Sequence, residues 1–474
     1  MPSRRPRIAP ASYRLSPQAR ARLRVMRRNP LFSAREWARR VVYWVGAVLV
    51  GLIALGFAAG ADQVALWRAD IVAWNRYAML AIAPAGLALS VWLTRTAFRG
   101  AQGSGIPQTI AALQMTRIET VDRVLSLRVA FGKIALTLLG LLSGGSIGRE
   151  GPTVQVGASV MYGLGNLLHL PQLAARRALI LAGGAAGVAA AFNTPLAGIV
   201  FAIEELSHSF EARTSGTVLT AVILAGVTTI ALVGNYTYFG TAHIELPIGE
   251  AWFAVLACGI VGGLAGGAFS GLLVRASRGL PGPLGRFAGS RPVAFAAACG
   301  LALAVIGLVS HGMTYGTGYE QARDIVQARS HYPASFFILK FLATIISYCS
   351  GIPGGIFAPT LAVGAGLGGW VAQFLPHTSA GAVVMLGMVG YFSAVVQAPL
   401  TATIIVMEMT ANQQVTVALM ATSFLGFAVS RLVCPRALYG ALAERFLLSV
   451  EPDPPLPPAD QEPATAAPDG HDAR

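Results

Sequence analysis

Long apolar runs broken by short polar or glycine-rich stretches dominate the chain. They cover residues 41–61, 77–93, 134–147, 178–203, 217–233, 251–274, 293–309, 335–348, 356–375, 380–396 and 415–433. Several fall short of the roughly 20 residues that a full bilayer crossing needs. Broken helices at membrane depth persist only where protein or a water-filled cavity satisfies the freed backbone groups. The pattern therefore predicts an all-α polytopic membrane protein with interrupted helices.

The run that ends at Ile147 meets Gly148-Arg149-Glu150-Gly151-Pro152, after which Thr153-Val154-Gln155-Val156-Gly157-Ala158 resumes the apolar pattern. A carboxylate placed where hydrocarbon is expected costs a few kcal/mol or more, and such residues usually face a water-filled path or a partner. The plainer reading puts Arg149 and Glu150 in a loop at the membrane surface. A second copy argues for the first reading. Gly355-Ile356-Phe357-Ala358-Pro359-Thr360-Leu361-Ala362-Val363-Gly364-Ala365 aligns at a shift of 207 residues, with Gly, Pro, Thr, Val, Gly and Ala coincident. Pro195-Leu196 then precedes Glu204 as Pro399-Leu400 precedes Glu408, at a shift of 204. Two matches in the same order predict an internal duplication, with halves at about 41–240 and 250–450. In membrane transporters such repeats meet near the bilayer midplane around a substrate site. Ile356 and Phe357 replace the charged pair in the second copy, so the halves share a framework and differ in role.

Composition agrees: mean hydropathy is +0.61, 12% of residues are charged, and there are 54 glycines, as closely packed helices require. The basic excess is local. Residues 1–40 hold twelve arginines and one acid, Glu36, which supplies +11 of the formal +14. A basic segment directly before a hydrophobic span sets cytoplasmic orientation and touches anionic lipid more often than it binds nucleic acid. No short apolar stretch with a small-residue cleavage site follows within the first 30 residues, unlike a signal peptide. Cys258, Cys299, Cys349 and Cys434 have no metal spacing and read as free apolar residues. The segment 239–251 is more polar than its surroundings, and 275–291, rich in Gly, Pro and Arg, reads as a cytoplasmic loop. Gly259, Gly263, Gly267 and Gly271 form one smooth helix face for a neighbouring helix, within the subunit or across a dimer. Residues 451–474, Pro-rich with six acids, read as a disordered tail.

Gly103-Ser104-Gly105-Ile106-Pro107 is a glycine turn with proline placed to open a helix. Free N–H groups at a helix N-terminus form an anion site, and the Pro152 and Pro359 stretches have the same design. Three such starts predict several N-termini converging on an anion. A polytopic membrane enzyme is disfavoured, because no HEXXH and no Ser or Cys nucleophile with a nearby His is found.

These motifs, in this order, resemble the anion-pore signatures of the CLC family of chloride channels and proton/chloride antiporters, and Tyr439 in Arg436-Ala437-Leu438-Tyr439-Gly440 resembles its fourth pore element. The match spans roughly 41–450. The resemblance implies a CLC-type fold of two inverted repeats with tilted, partly re-entrant helices. It also implies a homodimer with one pore per subunit and, for this bacterial-type chain, no nucleotide-sensing domain pair after the apolar body. The hydroxyls of Ser104 and Tyr439 and the backbone N–H groups of Ile356 and Phe357 would bind chloride. Glu150 would be the gating glutamate and outer proton acceptor, with a charge state that answers to dehydration and to bound chloride. Glu205 resembles the inner proton-transfer glutamate of the antiporters, where family channels commonly carry an apolar residue. Glu204 reads as a residue that ends a helix at the cytoplasmic surface, since Glu408 is its repeat counterpart. Lys133 and Arg149 would set the local potential, Lys133 alternatively serving as a paired structural cation.

The expected function is proton-coupled chloride antiport in the cell inner membrane, multi-pass with a cytoplasmic N-terminus, without cofactors; chloride, protons and membrane lipids are the expected partners and nucleic acid is not. A passive chloride channel of the same fold is the alternative. A fluoride exporter is disfavoured by Ser104 and by the proline after Glu150-Gly151.

Overall fold

A computed structural model describes residues 34–167, 173–207, 212–234, 237–240, 248–329 and 332–450. The acidic tail, the basic arm up to residue 33 and residues 241–247 of the polar segment lie outside the described residues. The described chain is helical: α1 (Ala34–Trp74), α2 (Met79–Thr96), α3 (Ile106–Gln114), α4 (Ile118–Val124), α5 (Leu127–Leu142), α6 (Glu150–Leu167), α7 (Leu173–Phe192), α8 (Pro195–Phe201), α9 (Ala212–Val233), α10 (Ile248–Arg278), α11 (Gly282–Ser290), α12 (Pro292–Val309), α13 (Tyr319–Val326), α14 (Ser335–Cys349), α15 (Phe357–Ala372), α16 (Ala380–Val396), α17 (Pro399–Thr410), α18 (Thr416–Val433) and α19 (Leu438–Val450). Among the described residues, eight helical stretches are long and apolar enough to cross a membrane, and four shorter apolar helices, α14 to α17, are not.

The halves are built alike and face each other. The Gly148 N–H donates to Gly355 O at 2.7 Å and the Gly355 N–H donates to Gly148 O at 2.8 Å, an antiparallel bridge between positions 207 residues apart. The second match is equally reciprocal. The Glu408 carboxylate accepts from the N–H groups of Leu196 (3.2 Å) and Ala197 (2.8 Å), and Glu204 accepts from Leu400 (3.1 Å) and Thr401 (2.6 Å). Each half therefore supplies the anionic cap that neutralises the other half's helix N-terminus. Glu204 does more than end a helix: it ties α17 across the pseudo-two-fold.

Local chemistry explains where helices break. The apolar run 178–203 divides because Asn193 adopts φ 55° and Pro195 opens a new helix at N1/N2; Gln397 (φ 59°) and Pro399 repeat the break in the second half. Small residues then let the pieces approach. A side chain at Gly364 would meet Met388 Cα at 2.7 Å and Gly387 O at 2.9 Å, and one at Gly157 would meet the backbone of Gly183, the same contact in the other half. The spaced glycines of α10 pack within the subunit: Gly259, Gly263 and Gly267 abut Leu425, Val429 and Ser430 of α18. Residues 275–291 are not only loop: α10 runs to Arg278, and Pro283 stands in the first turn of the short helix α11. The four cysteines are free, with Cys258, Cys299 and Cys434 buried.

Removal of one cross-half cap should be felt as stability. Glu408→Ala orphans two N–H groups and is expected to cost about 1–2 kcal/mol. Thermal unfolding of the detergent-solubilised protein checks this; a melting temperature equal to that of the unaltered protein would refute the reciprocal cap.

Candidate functional site

Where the halves meet, three glycine loops touch. Gly105, at φ 105°, lies against α6 so closely that a side chain there would meet Gly151 O at 2.6 Å and Gln155 Cβ at 3.0 Å. The Gly354 N–H donates to Gly103 O at 3.0 Å. A Cβ at Gly151 would lie 2.5 Å from Ser104 Oγ and 3.4 Å from Gly355 Cα. The N-termini of α3, α6 and α15 thus converge, as the three glycine-proline motifs predict. Their first-turn N–H groups, among them Phe357 in α15, have no partner within their own helix.

Around this point lie buried polar atoms with unfilled capacity. The Ser104 and Tyr439 hydroxyls adjoin one another, and neither meets hydrogen-bond geometry with a protein group. Both residues are almost fully buried, Ser104 at 2% and Tyr439 at 0% exposure. Buried hydroxyls rarely go unused, so each one left open calls for an explanation. Phe357 fixes the start of α15 through rings on four sides: Phe392 at 4.9 Å, Tyr439 at 5.7 Å, Phe192 at 5.9 Å and Phe201 at 6.0 Å between centroids. Ile356, the N-cap of α15, is equally buried.

The two carboxylates differ in setting. Glu150 opens α6, fully buried, and its Oε1 accepts from the Tyr319 hydroxyl at 2.7 Å while Oε2 faces the backbone N–H groups of Glu150 and Ala358 outside full hydrogen-bond geometry. Its side chain folds back toward Gly148, where Ala358 of α15 also stands: a Cβ at Gly148 would meet Glu150 Oε2 and, at 3.3 Å, Ala358 N. The carboxylate therefore sits at the positive end of α15. Glu205 is buried in a π-helical turn, Ala202–Ser207, that continues α8. The equivalent stretch of the other half stays α-helical within α17 and carries Met409 there. Tyr439 is within electrostatic reach of both Glu150 and Glu205.

The cations are committed to the protein. Arg149 donates to Ala58 O (2.7 Å), to Asp62 Oδ1 (3.2 Å) and to the Tyr238 hydroxyl (2.5 Å). Lys133 is fully buried, and its Nζ donates to the carbonyls of Ala101 (2.7 Å), Gln102 (3.2 Å) and Gly103 (2.8 Å), bracing the Ser104 loop. Its counterpart, Lys340, 207 residues on, braces Thr314 (2.9 Å) and Gly316 (2.7 Å) in the same way. A fourth glycine loop, Gly316-Thr317-Gly318-Tyr319, thereby matches Gly103-Ser104-Gly105-Ile106 at a shift of 213. Sequence reasoning missed it; its signal is a lysine at the duplication shift after a Gly-x-Gly. A cavity of about 580 Å3 opens onto Ser104 with Arg95 and Arg445 in its wall. Basic walls concentrate anions at such an entrance.

Fold and site together define a polytopic membrane protein of two inverted halves with buried polar groups where they meet. Residues 86–431 match the model of the voltage gated chloride channel family. The chain is 32% identical over 433 residues to an H(+)/Cl(−) exchange transporter, ClcA, of Yersinia pseudotuberculosis serotype IB (strain PB1/+), covering 86% of this chain and 87% of that one. It is 29% identical over 427 residues to the ClcA exchange transporter of Cronobacter sakazakii (strain ATCC BAA-894), covering 85% and 89%. Among solved structures, a slow cyanobacterial Cl−/H+ antiporter superposes with a TM-score of 0.74 at 27% identity, over 86% of this chain and 98% of the other. A CLC-type fluoride/proton antiporter, 23% identical with a TM-score of 0.72 over 86% and 98%, shares the fold. The chain belongs to the CLC family of voltage-gated chloride channels and exchangers.

The lysine braces make a matched pair of predictions. Lys133→Met or Lys340→Met leaves buried carbonyls without donors and should cost about 2 kcal/mol or more, read as an earlier unfolding transition in detergent. Unchanged transitions in both variants would show that the loops hold without them.

Proposed function

We propose that this protein exchanges chloride for protons across the bacterial inner membrane, as a homodimer of multi-pass subunits with cytoplasmic N-termini. The observation that carries the reading is the position of Glu150. Its buried carboxylate lies at the N-terminus of α15, near the two buried hydroxyls of Ser104 and Tyr439, which adjoin one another and keep hydrogen-bonding capacity unfilled. An ionised carboxylate there has the charge and acceptor capacity of a chloride and competes with it for the same donors. Protonation cancels that charge, the side chain gives up the path, and an anion replaces it.

Ser104, Tyr439 and the backbone N–H groups of Ile356 and Phe357 supply the chloride shell. Hydroxyls and dipoles bind an anion firmly enough for it to enter and weakly enough for it to leave. Lys133 and Arg149, held by protein partners, add potential from a distance without trapping the ion. Glu205 receives the proton on the inner side, and Tyr439 is within electrostatic reach of both carboxylates. Exchange follows when every departure of the carboxylate admits chloride and every return requires a proton to be given up. Chloride and protons are cargo, and no cofactor enters the cycle. The basic arm fits a membrane surface of anionic lipid rather than nucleic acid. Similarity to named H(+)/Cl(−) exchange transporters over most of both chains supports the choice of exchange over passive conduction.

The test uses purified protein in liposomes holding a chloride gradient, with external pH recorded while valinomycin and potassium set the voltage. Protons are expected to move against their own gradient. Glu205→Ala should abolish that movement while chloride still flows, and Glu150→Ala should abolish it and leave chloride flux indifferent to pH. Chloride flux without proton movement in the unaltered protein would leave a channel. An absence of chloride flux would overturn the anion assignment.

A further inference from the structure

The Glu150 carboxylate has a hydrogen-bond partner that the mechanism above does not use. Tyr319 is the first residue of α13, set after Gly318 (φ 85°) in the loop braced by Lys340. Its hydroxyl donates to Glu150 Oε1 at 2.7 Å. Among the described residues it is the one side chain that donates to this carboxylate. The ring is wedged in place, 5.0 Å from that of Tyr238 and 6.0 Å from that of Phe239. Tyr238 is no substitute donor, because its hydroxyl gives its proton to Ala191 O at 2.9 Å and accepts from Arg149. The matching position in the other half is Ile106, which has no hydroxyl. Of the two matched positions, one alone carries the donor.

We propose that Tyr319 is the latch of the gate, a positioning residue whose hydroxyl holds the Glu150 carboxylate in the anion path and releases it when chloride takes its place. The proposal rests on the reading of Glu150 as a carboxylate that competes with chloride. A hydrogen bond to an ionised group is stronger than one between neutral groups, and this bond exists only while the carboxylate occupies the path. It therefore weights the closed arrangement without binding the open one. A ring fixed by its neighbours loses little freedom in making the bond, so most of its strength goes into holding the gate.

Tyr319→Phe removes one oxygen and keeps both ring contacts, so the fold is retained. Loss of a hydrogen bond to a charged group is expected to shift the balance between open and closed gate by about tenfold or more. Chloride then meets a weaker competitor, and in liposome exchange the half-saturating chloride concentration should fall by up to that factor, with a smaller change in maximal rate. The decisive comparison is the same substitution in a Glu150→Ala background, where no carboxylate remains to be held and Tyr319→Phe should do nothing further. An equal effect in both backgrounds would make Tyr319 a packing residue and overturn the latch. So would an unchanged half-saturating concentration in Tyr319→Phe, provided that Glu150→Ala alone lowers it and uncouples protons. If Glu150→Ala leaves coupling intact, the gate reading itself fails and the latch falls with it.

Discussion

Two glycine backbones hydrogen-bonded to each other are the constraint on which this molecule depends. The Gly148 and Gly355 bridge sets the distance between the halves at the point where α6 and α15 begin. Any side chain there would push the loops apart: the space is occupied on one side by Glu150 and Ala358 and on the other by Gly151 and Pro152. Because the bridge is antiparallel, the two helix starts face a common centre and their positive ends add. A centre whose buried cations, Lys133 and Arg149, are already held by protein partners can in this way still favour an anion. The converging N-termini, the open hydroxyls and the buried carboxylate are consequences of that one contact.

Burial gives the site its second property. Glu150 and Glu205 both lie within electrostatic reach of Tyr439 and are withdrawn from solvent, and among the described residues neither forms a salt bridge. Charge in such a setting is costly unless dipoles or a proton relieve it. The first half has structure there that the second half lacks: a π turn carries Glu205, where the second half stays α-helical through Met409 and ends at Thr410. Extra residues in a helical turn are a recurrent feature of functional sites, and among the described residues the irregularity is found in the half that carries both carboxylates.

Much of this was legible in the chain itself. Gly148 to Ala158 repeats at Gly355 to Ala365, and the repeat survives in space as reciprocal bonds because glycine, proline and capping glutamate each encode a local backbone requirement. The broken helix after Asn193 was hidden inside an unbroken apolar run, since hydropathy is blind to a single residue at positive φ. The Lys340 loop and Tyr319 were also hidden. Their loop is related by a shift of 213 rather than 207, and a hydroxyl aimed at a carboxylate 169 residues away leaves no periodic trace. Lys133 was read as a cation that sets the local potential or is paired structurally, but its three partners are backbone carbonyls, which every sequence possesses and none advertises.

The reciprocal caps have a consequence for biosynthesis. The helix that starts at Pro195 obtains its acceptor from Glu408, a residue that a ribosome adds more than two hundred positions later. Until then the first half waits in the bilayer with two backbone donors open, and it cannot settle before its twin arrives. Chains normally complete folding unit by unit as they emerge. Here the final packing of the earlier half is deferred to the end of synthesis, so membrane insertion and folding become separate events.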